Sequence, residues 1–256
     1  MGLRLTILGS GTSHGVPMIA CGCDVCRSSD PRDRRTRTSA LLEYDGHGVL
    51  IDTAPELRLQ CVACGVTRVD AVLLTHAHAD HVVGLDDVRR FNDLLGRELP
   101  VYGAADTLAR VREMFRYAFE DDPSYPSAKP QLRATPITGS FEVGGRLVTP
   151  LPYWHGPARV LGFRVGGVAY CPDCSAIPDE TWPLLAGLDV LVLDALRRRP
   201  HPTHFNLEQA LAVAARIGAR RTLLTHIAHE LGHAATSAAL PPGVELAYDG
   251  LVCEVG

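Results

Sequence analysis

The sequence predicts an α/β fold in which sheets and helices are layered against one another. Three observations carry that expectation. Short runs rich in β-branched residues alternate with stretches of helical periodicity, no long linker separates them, and 46% of the 256 residues are hydrophobic, enough to bury a sizeable core. One domain spanning residues 1–256 is therefore expected.

The elements follow in order. Leu3, Leu5 and Ile7 alternate as an opening strand over 3–8. Strands over 39–43 and 49–52 flank Asp45-Gly46-His47-Gly48, a turn that joins Leu41-Leu42-Glu43-Tyr44 to Val49-Leu50-Ile51 as a hairpin. A helix is expected from Pro55, a strand over 69–75, and helices over 84–95 and 106–119. An irregular loop over 121–130 precedes strands at 132–137, 147–152, 160–165, 168–171, 190–193 and 222–225. Within this second half, a helix over 207–217 places Leu207, Ala210, Leu211, Ala214 and Ile217 on one face, with Asn206 available as its cap. No internal repeat or low-complexity tract interrupts the pattern.

A formal charge of −4 gives no strong pull toward nucleic acid or membranes. No apolar run approaches the roughly 20 residues of a membrane span. Met1-Gly2-Leu3-Arg4-Leu5-Thr6 fits a loose acylation pattern, but a lipid there would pull the opening strand from its sheet. Without a visible signal peptide a cytoplasmic location is expected. In that compartment the 8 cysteines read as metal ligands or buried thiols rather than disulfides.

The chemistry concentrates in Thr75-His76-Ala77-His78-Ala79-Asp80-His81, directly after the apolar run Val72-Leu73-Leu74. Neutral imidazoles tolerate such crowding around a cation. His155, Asp173 and His226 likewise stand just past apolar runs, so the ends of several strands can bring all of these donors to one rim. Together they suffice for two metal ions. Cys21, Cys23 and Cys26 offer three thiols in six residues, which suits a tetrahedral zinc site that needs a fourth ligand from elsewhere. Cys61, Cys64, Cys171 and Cys174 read as buried thiols.

The order H-x-H-x-D-H, then a distant His, Asp and His, resembles the metallo-β-lactamase-fold hydrolases. Leu8-Gly9-Ser10-Gly11-Thr12, Gly15-Val16-Pro17, the cysteine cluster and Leu224-Thr225-His226-Ile227-Ala228-His229 extend the likeness to PhnP-type phosphoribosyl cyclic phosphodiesterases along nearly the whole chain. The resemblance implies a metallo-β-lactamase-like four-layer αββα sandwich. It assigns His76, His78 and His155 to one divalent ion and Asp80, His81 and His226 to a second, with Asp173 bridging and Asp52 supporting the rim. It nominates His229 as the fourth ligand of a structural zinc with Cys21, Cys23 and Cys26, and His204 as the group that assists the leaving oxygen. Asp80 and Asp173 count with His204 as catalytic.

The expected activity is hydrolysis of a small cyclic phosphodiester such as a phosphoribosyl 1,2-cyclic phosphate, by hydroxide that two divalent ions, manganese or zinc, make available near neutral pH. Arg197-Arg198-Arg199, near His204, could meet a phosphate. The implied partner is a small phosphodiester. A homodimer is expected from the resemblance, and a membrane partner is not. Nucleic acid is disfavoured, although Arg32, Arg34, Arg35 and Arg37 form a local basic stretch that an RNA-processing endonuclease of the same fold could use. Other readings are a noncatalytic, PqqB-like cofactor-biosynthesis protein, against which the intact H-x-H-x-D-H counts, and a thiol redox protein. His14, His47, His201 and His233 receive no role.

Overall fold

The central strands are apolar on both faces, so each sheet must be covered on both sides. The computed structural model describes residues 2–120, 122 and 124–256. Met1 of the acylation pattern, and Asp121 and Pro123 of the expected 121–130 loop, lie outside the described residues; the described remainder of that loop holds neither helix nor strand. The first half supplies β1 (Leu3–Gly9), β2 (Ser39–Tyr44), β3 (His47–Ile51), β4 (Ala71–Leu73), β5 (Leu99–Gly103) and β6 (Leu132–Pro136). The second supplies β7 (Phe141–Val143), β8 (Arg146–His155), β9 (Ala158–Val165), β10 (Val168–Cys171), β11 (Val190–Asp194), β12 (Arg221–Thr225) and β13 (Val244–Leu246). The last strand, β14 (Val252–Val255), returns to the first half and pairs antiparallel with β1.

Two seven-stranded sheets result, ordered β14-β1-β2-β3-β4-β5-β6 and β13-β12-β11-β10-β9-β8-β7. Leu5, Ile7, Leu42, Val49, Ile51 and Leu73 of the first sheet meet Val148, Phe163, Tyr170, Val192 and Leu223 of the second in the central core. Alternate residues, among them Leu8, Leu41, Leu50, Val72 and Leu74, face outward under α1 (Leu57–Ala63), α3 (Arg89–Leu95) and α4 (Ala105–Met114). Leu191, Leu193 and Leu224 face outward under α6 (Leu207–Ile217). The period-2 alternation of strands thus divides every inner strand between two cores, and the layers are αββα as expected.

The helix expected over 84–95 forms in two parts. A 3₁₀ turn over Val83–Val88 lies hard against the 53–57 backbone, where Gly84 N donates to Thr53 O at 2.9 Å, and only then does α3 begin. A Cβ on Gly84 would lie 2.0 Å from Ala54 O, so glycine is required by the approach. The 106–119 stretch breaks at Phe115 (φ −119°, ψ 38°), which separates α4 from the short α5 (Arg116–Phe119). The expected strand over 69–75 shortens to β4, which frees Leu74 and Thr75 to lead into α2 (Ala79–Val82). Cys64 is half-buried, not buried as expected, because it caps α1 at the surface.

The basic stretch at 32–37 is not a free cationic face. Arg32 pairs with Asp30 at 2.8 Å and Arg37 with Glu56. The Arg35 side chain is fully buried, ion-paired with Asp33 at 2.8 Å and donating to Leu231 O at 2.7 Å. At the far end of the chain, half-buried Asp249 accepts from Ser10 N and Oγ at 2.9 and 2.8 Å and from Thr36 N and Oγ1 at 2.8 and 2.6 Å. No helix among the described residues is long and apolar enough to cross a membrane.

Asn206 caps α6 as expected. Its side chain accepts from Gln209 N at 2.8 Å, and Gln209 Oε1 accepts from Asn206 N at 3.0 Å, a complete capping box. Asn206→Ala is expected to cost about 1 kcal/mol, measured as a lower denaturant midpoint at constant m-value. An unchanged midpoint would show that the cap is dispensable.

Candidate metal centre

Strands β3 and β4 run parallel, and β8, β10, β11 and β12 share one direction in the other sheet. The polar residues that follow these strands therefore gather on one rim. Leu161 N donates to Thr75 O at 3.1 Å and joins the two sheets there. Asp52, Asp173 and His226 adopt φ of 59°, 50° and 59°, a left-handed conformation that costs a non-glycine residue of order 1–3 kcal/mol. Each is the first residue past its strand or close to it, and the reversal turns its side chain back over the strand end.

Asp173 is at the middle. Its Oδ1 lies 3.2 Å from His81 Nε2 and 3.3 Å from His226 Nε2, while Oδ2 lies 3.8 Å from His76 Nε2 and 3.9 Å from His155 Nε2. The two carboxylate oxygens thus face two different sets of donors. His76, His78, His155 and Asp173 form one group close enough to share a cation, and Asp80, His81 and His226 form another. His76 Nε2 and His78 Nδ1 are 2.9 Å apart, and Asp80 Oδ2 is 3.5 Å from both His81 Nε2 and His226 Nε2. His76, His78, Asp80, His81, His155, Asp173 and His226, expected together from the sequence, meet at this rim.

The surrounding groups fix the rings. Asp52 Oδ2 accepts from His81 Nδ1 at 2.7 Å and is itself held by Thr75 Oγ1 at 2.8 Å. The Thr75 hydroxyl lies 3.0 Å from His76 Nδ1, and Thr203 O accepts from His155 Nδ1 at 2.8 Å. With Nδ1 engaged in each case, the Nε2 lone pairs point inward. His81 Nε2, His226 Nε2 and Asp173 Oδ1 are buried without hydrogen-bond partners. Converging lone pairs and carboxylate oxygens left without donors fit divalent cations.

The electrostatics agree. Burial works to raise the Asp173 carboxyl, but the His226 and His81 imidazoles outweigh it and hold the group well below the usual carboxylate range. Burial works to lower His81, and Asp173 and Asp52 raise it well above the usual histidine value. Burial, followed by His81, pushes His76 well below it, and burial takes His155 down to about 4.

His204, expected from resemblance alone, is buried at the same rim, with its ring centroid 4.6 Å from that of His155 and 4.7 Å from that of His226. Its Nδ1 lies 2.8 Å from Asp194 Oδ2, which also accepts from Cys174 N at 2.8 Å. Burial lowers His204 to about 4 and raises Asp194 well above the usual carboxylate range. Both shifts favour a pair without net charge, and Asp173, His204 and His226 also lie close enough to share a cation. Sequence reasoning missed Asp194, although it follows the apolar run Val190-Leu193 just as the other rim residues follow theirs.

Cys21, Cys23 and Cys26 Sγ surround His229 Nδ1 at 3.2, 3.4 and 3.6 Å. The Cys26 backbone N–H donates to Cys23 Sγ and, outweighing burial, holds that thiol down at about 6, whereas burial pushes Cys26 up to about 11. The four side chains could hold one ion. His226 and His229 are three residues apart in one segment, which Ile227 N anchors to Ser10 O at 2.9 Å.

A fold of this kind with paired histidine and aspartate clusters defines a metallo-hydrolase, and a family model described as a beta-lactamase superfamily domain matches residues 47–227. The chain belongs to that superfamily. Among solved structures it is similar to a diphosphatase from the PhnP family, 43% identical, with a TM-score of 0.93 and coverage of 99% of this chain and 97% of that one. An octanoyltransferase of Porphyromonas gingivalis is 40% identical across 97% of this chain, which spans about half (51%) of that protein's length. A ribonuclease Z of a Mycobacterium species is 30% identical over 88% of this chain and 84% of its own.

Two outcomes are expected. Asp52→Asn should weaken metal retention at the group containing His81 by about 10- to 100-fold, measured as metal content after dialysis against graded chelator; wild-type retention would mean that His81 orients itself without Asp52. Cys23→Ser should bind one metal ion fewer per chain than wild type and melt at lower temperature. Unchanged metal content with an unchanged melting point would remove the thiol cluster as a metal site.

Proposed function

We propose that the chain is a metal-dependent phosphodiesterase acting on a small cyclic phosphodiester, with phosphoribosyl 1,2-cyclic phosphate as the substrate type. The observation that carries this reading is the Asp194–His204 pair set against the donors of Asp173 and His226. A proton donor beside a site able to hold two cations matches what cleavage of a P–O bond with a poor alkoxide leaving group needs. The 43% identity to the PhnP-family diphosphatase supports the same class of chemistry.

His76, His78 and His155 would hold one divalent ion and Asp80, His81 and His226 the other, with Asp173 shared between them. Nitrogen and carboxylate ligands suit manganese or zinc alike. Cys21, Cys23, Cys26 and His229 would hold a structural zinc. Two ions held there would supply Lewis acidity and lower the pKa of the attacking water. The protein's own contribution is orientation and proton transfer. Asp52, Thr75 and the Thr203 carbonyl keep the Nδ1 edges of His81, His76 and His155 turned away from the substrate. His204 gives its Nε2 proton to the departing sugar oxygen. As it does so, the proton shared with Asp194 settles on Nδ1, and the negative charge comes to rest on Asp194, beside the Cys174 N–H.

The ribonuclease Z likeness offers an endonuclease reading, but Arg32, Arg35 and Arg37 are already engaged by carboxylates of this chain. Acyl transfer, named for the Porphyromonas protein, is not favoured by the thiols beside Asp173: Cys171 and Cys174 are buried, and burial pushes Cys171 up to about 12.

His204→Ala is expected to keep the fold and the metal content yet lose about 10²- to 10⁴-fold in rate on a diester with an alkoxide leaving group. Hydrolysis of a nitrophenyl diester, which departs without much protonation, should fall far less, and Asp194→Asn should follow the same contrast. Equal losses on both substrates would assign His204 to binding rather than proton transfer. No turnover of any phosphodiester by metal-loaded protein would reject the phosphodiesterase reading.

A further inference from the structure

The rim carries a further set of donors that the two groups led by His76 and Asp80 do not use. Asp173, His204 and His226 lie close enough to share a cation, and all three are buried. Two of them, Asp173 and His226, also face Asp80 or His81. His204 is the addition, and its surroundings repeat those of a ligand.

A metal-ligating histidine has a partner on its other ring nitrogen, which fixes its tautomer and orientation. His81 Nδ1 has Asp52 Oδ2 at 2.7 Å, and His204 Nδ1 has Asp194 Oδ2 at 2.8 Å. Both carboxylates are fully buried at strand ends: Asp52 follows β3, and Asp194 closes β11. With Nδ1 engaged, His204 presents Nε2 to the rim as His81 does. The His226 ring lies nearly parallel to both imidazoles, at 19° and 5.9 Å from His81 and at 12° and 4.7 Å from His204.

His226 itself is unlike the other buried ligand histidines. Thr75, Asp52 and Thr203 engage Nδ1 of His76, His81 and His155, whereas among the described residues neither Nδ1 nor Nε2 of His226 has a hydrogen-bond partner. No hydrogen bond therefore ties its ring to one set of donors. Asp173 Oδ1, 3.3 Å from His226 Nε2, is buried without a hydrogen-bond partner as well. Proton donation by His204 requires no such neighbours. A buried carboxylate oxygen and imidazole nitrogens left open beside a carboxylate-backed histidine match a cation.

We infer that Asp173, His204 and His226 form an alternative seat for the ion otherwise held by Asp80, His81 and His226. Because both seats draw on His226, they fill in turn, and His204 retains the ion when Asp80 releases it. In that seat His204 Nε2 is a ligand and has no proton to give, so on the phosphodiesterase reading the ion's second position is an inactive form. The seat itself rests on the rim donors and not on that reading.

The test measures ion retention by the full chain. Zinc-loaded wild type, His204→Ala, Asp80→Ala and the double variant are dialysed against graded chelator. His204→Ala alone should hold its ions within about twofold of wild type, whereas adding it to Asp80→Ala should weaken one ion by about a further 10- to 100-fold, the coupling of a ligand that serves only once Asp80 is gone. In cobalt-loaded protein, His204→Ala should change the visible absorption, which reports the ligand set, only in the Asp80→Ala background. Equal effects of His204→Ala on retention in both backgrounds, or an Asp80→Ala cobalt spectrum unaltered by loss of His204, would overturn the seat. Asp80→Asn, closer in shape, carries the same comparison if Asp80→Ala melts low. Neither readout needs a substrate, so absence of diester turnover with the coupling intact would reject the phosphodiesterase reading alone.

Discussion

A buried carboxylate between two sets of imidazoles is the constraint on which this molecule turns. Asp173 is 2% exposed, and taking an ionised carboxylate out of water costs several kcal/mol unless compensating charge surrounds it. Four histidines from three different strand ends supply that compensation, two at each oxygen. Neither sheet could provide them alone, since His76 and His81 follow β4 while His155 and His226 follow β8 and β12. The carboxylate therefore ties the two sheets together at the rim as the central apolar core does beneath it.

The price of that arrangement is local strain, and its placement is informative. The left-handed φ values at Asp52, Asp173 and His226 lie where parallel strands end, at positions that a glycine would adopt without cost but where a side chain is needed, as a donor to the metal groups at Asp173 and His226 and as the acceptor for His81 at Asp52. Hydrogen bonds hold Asp52 in this conformation: Thr75 N donates to Asp52 Oδ1 at 2.9 Å, and Asp52 N to Leu73 O at 2.9 Å. A preorganised site built on strand ends keeps its donors in place before any cation or substrate arrives.

Much of this was legible in residue order because the chemistry sits in local patterns. The crowded histidines after an apolar run, the close-spaced thiols and the capping Asn206 all carry their meaning within a few residues. What escaped was long-range. Arg35 reads as part of a basic surface until Asp33 and the Leu231 carbonyl, nearly two hundred residues away, enclose it. Strand β5 contains Pro100, which removes a donor from its ladder and masks the strand signal. The partition of 84–95 into a 3₁₀ turn and α3 depends on backbone packing at Gly84, for which periodicity has no signal. Asp194 differs: its local pattern equals that of Asp173, and only the meeting with His204 separates a supporting carboxylate from a ligand.

The pairing of β1 with β14 has a bearing on how the chain is made. β1 is made well before β14, so its outer edge stays uncovered until that partner follows, and the Asp249 carboxylate that secures Ser10 and Thr36 is likewise supplied from far along the chain. Contacts spanning almost the whole length are slow to close, and an uncovered strand edge invites pairing with other chains. The pairing-prone edge of β1 thus belongs to the interval before β14 is in place and is covered once the two strands pair.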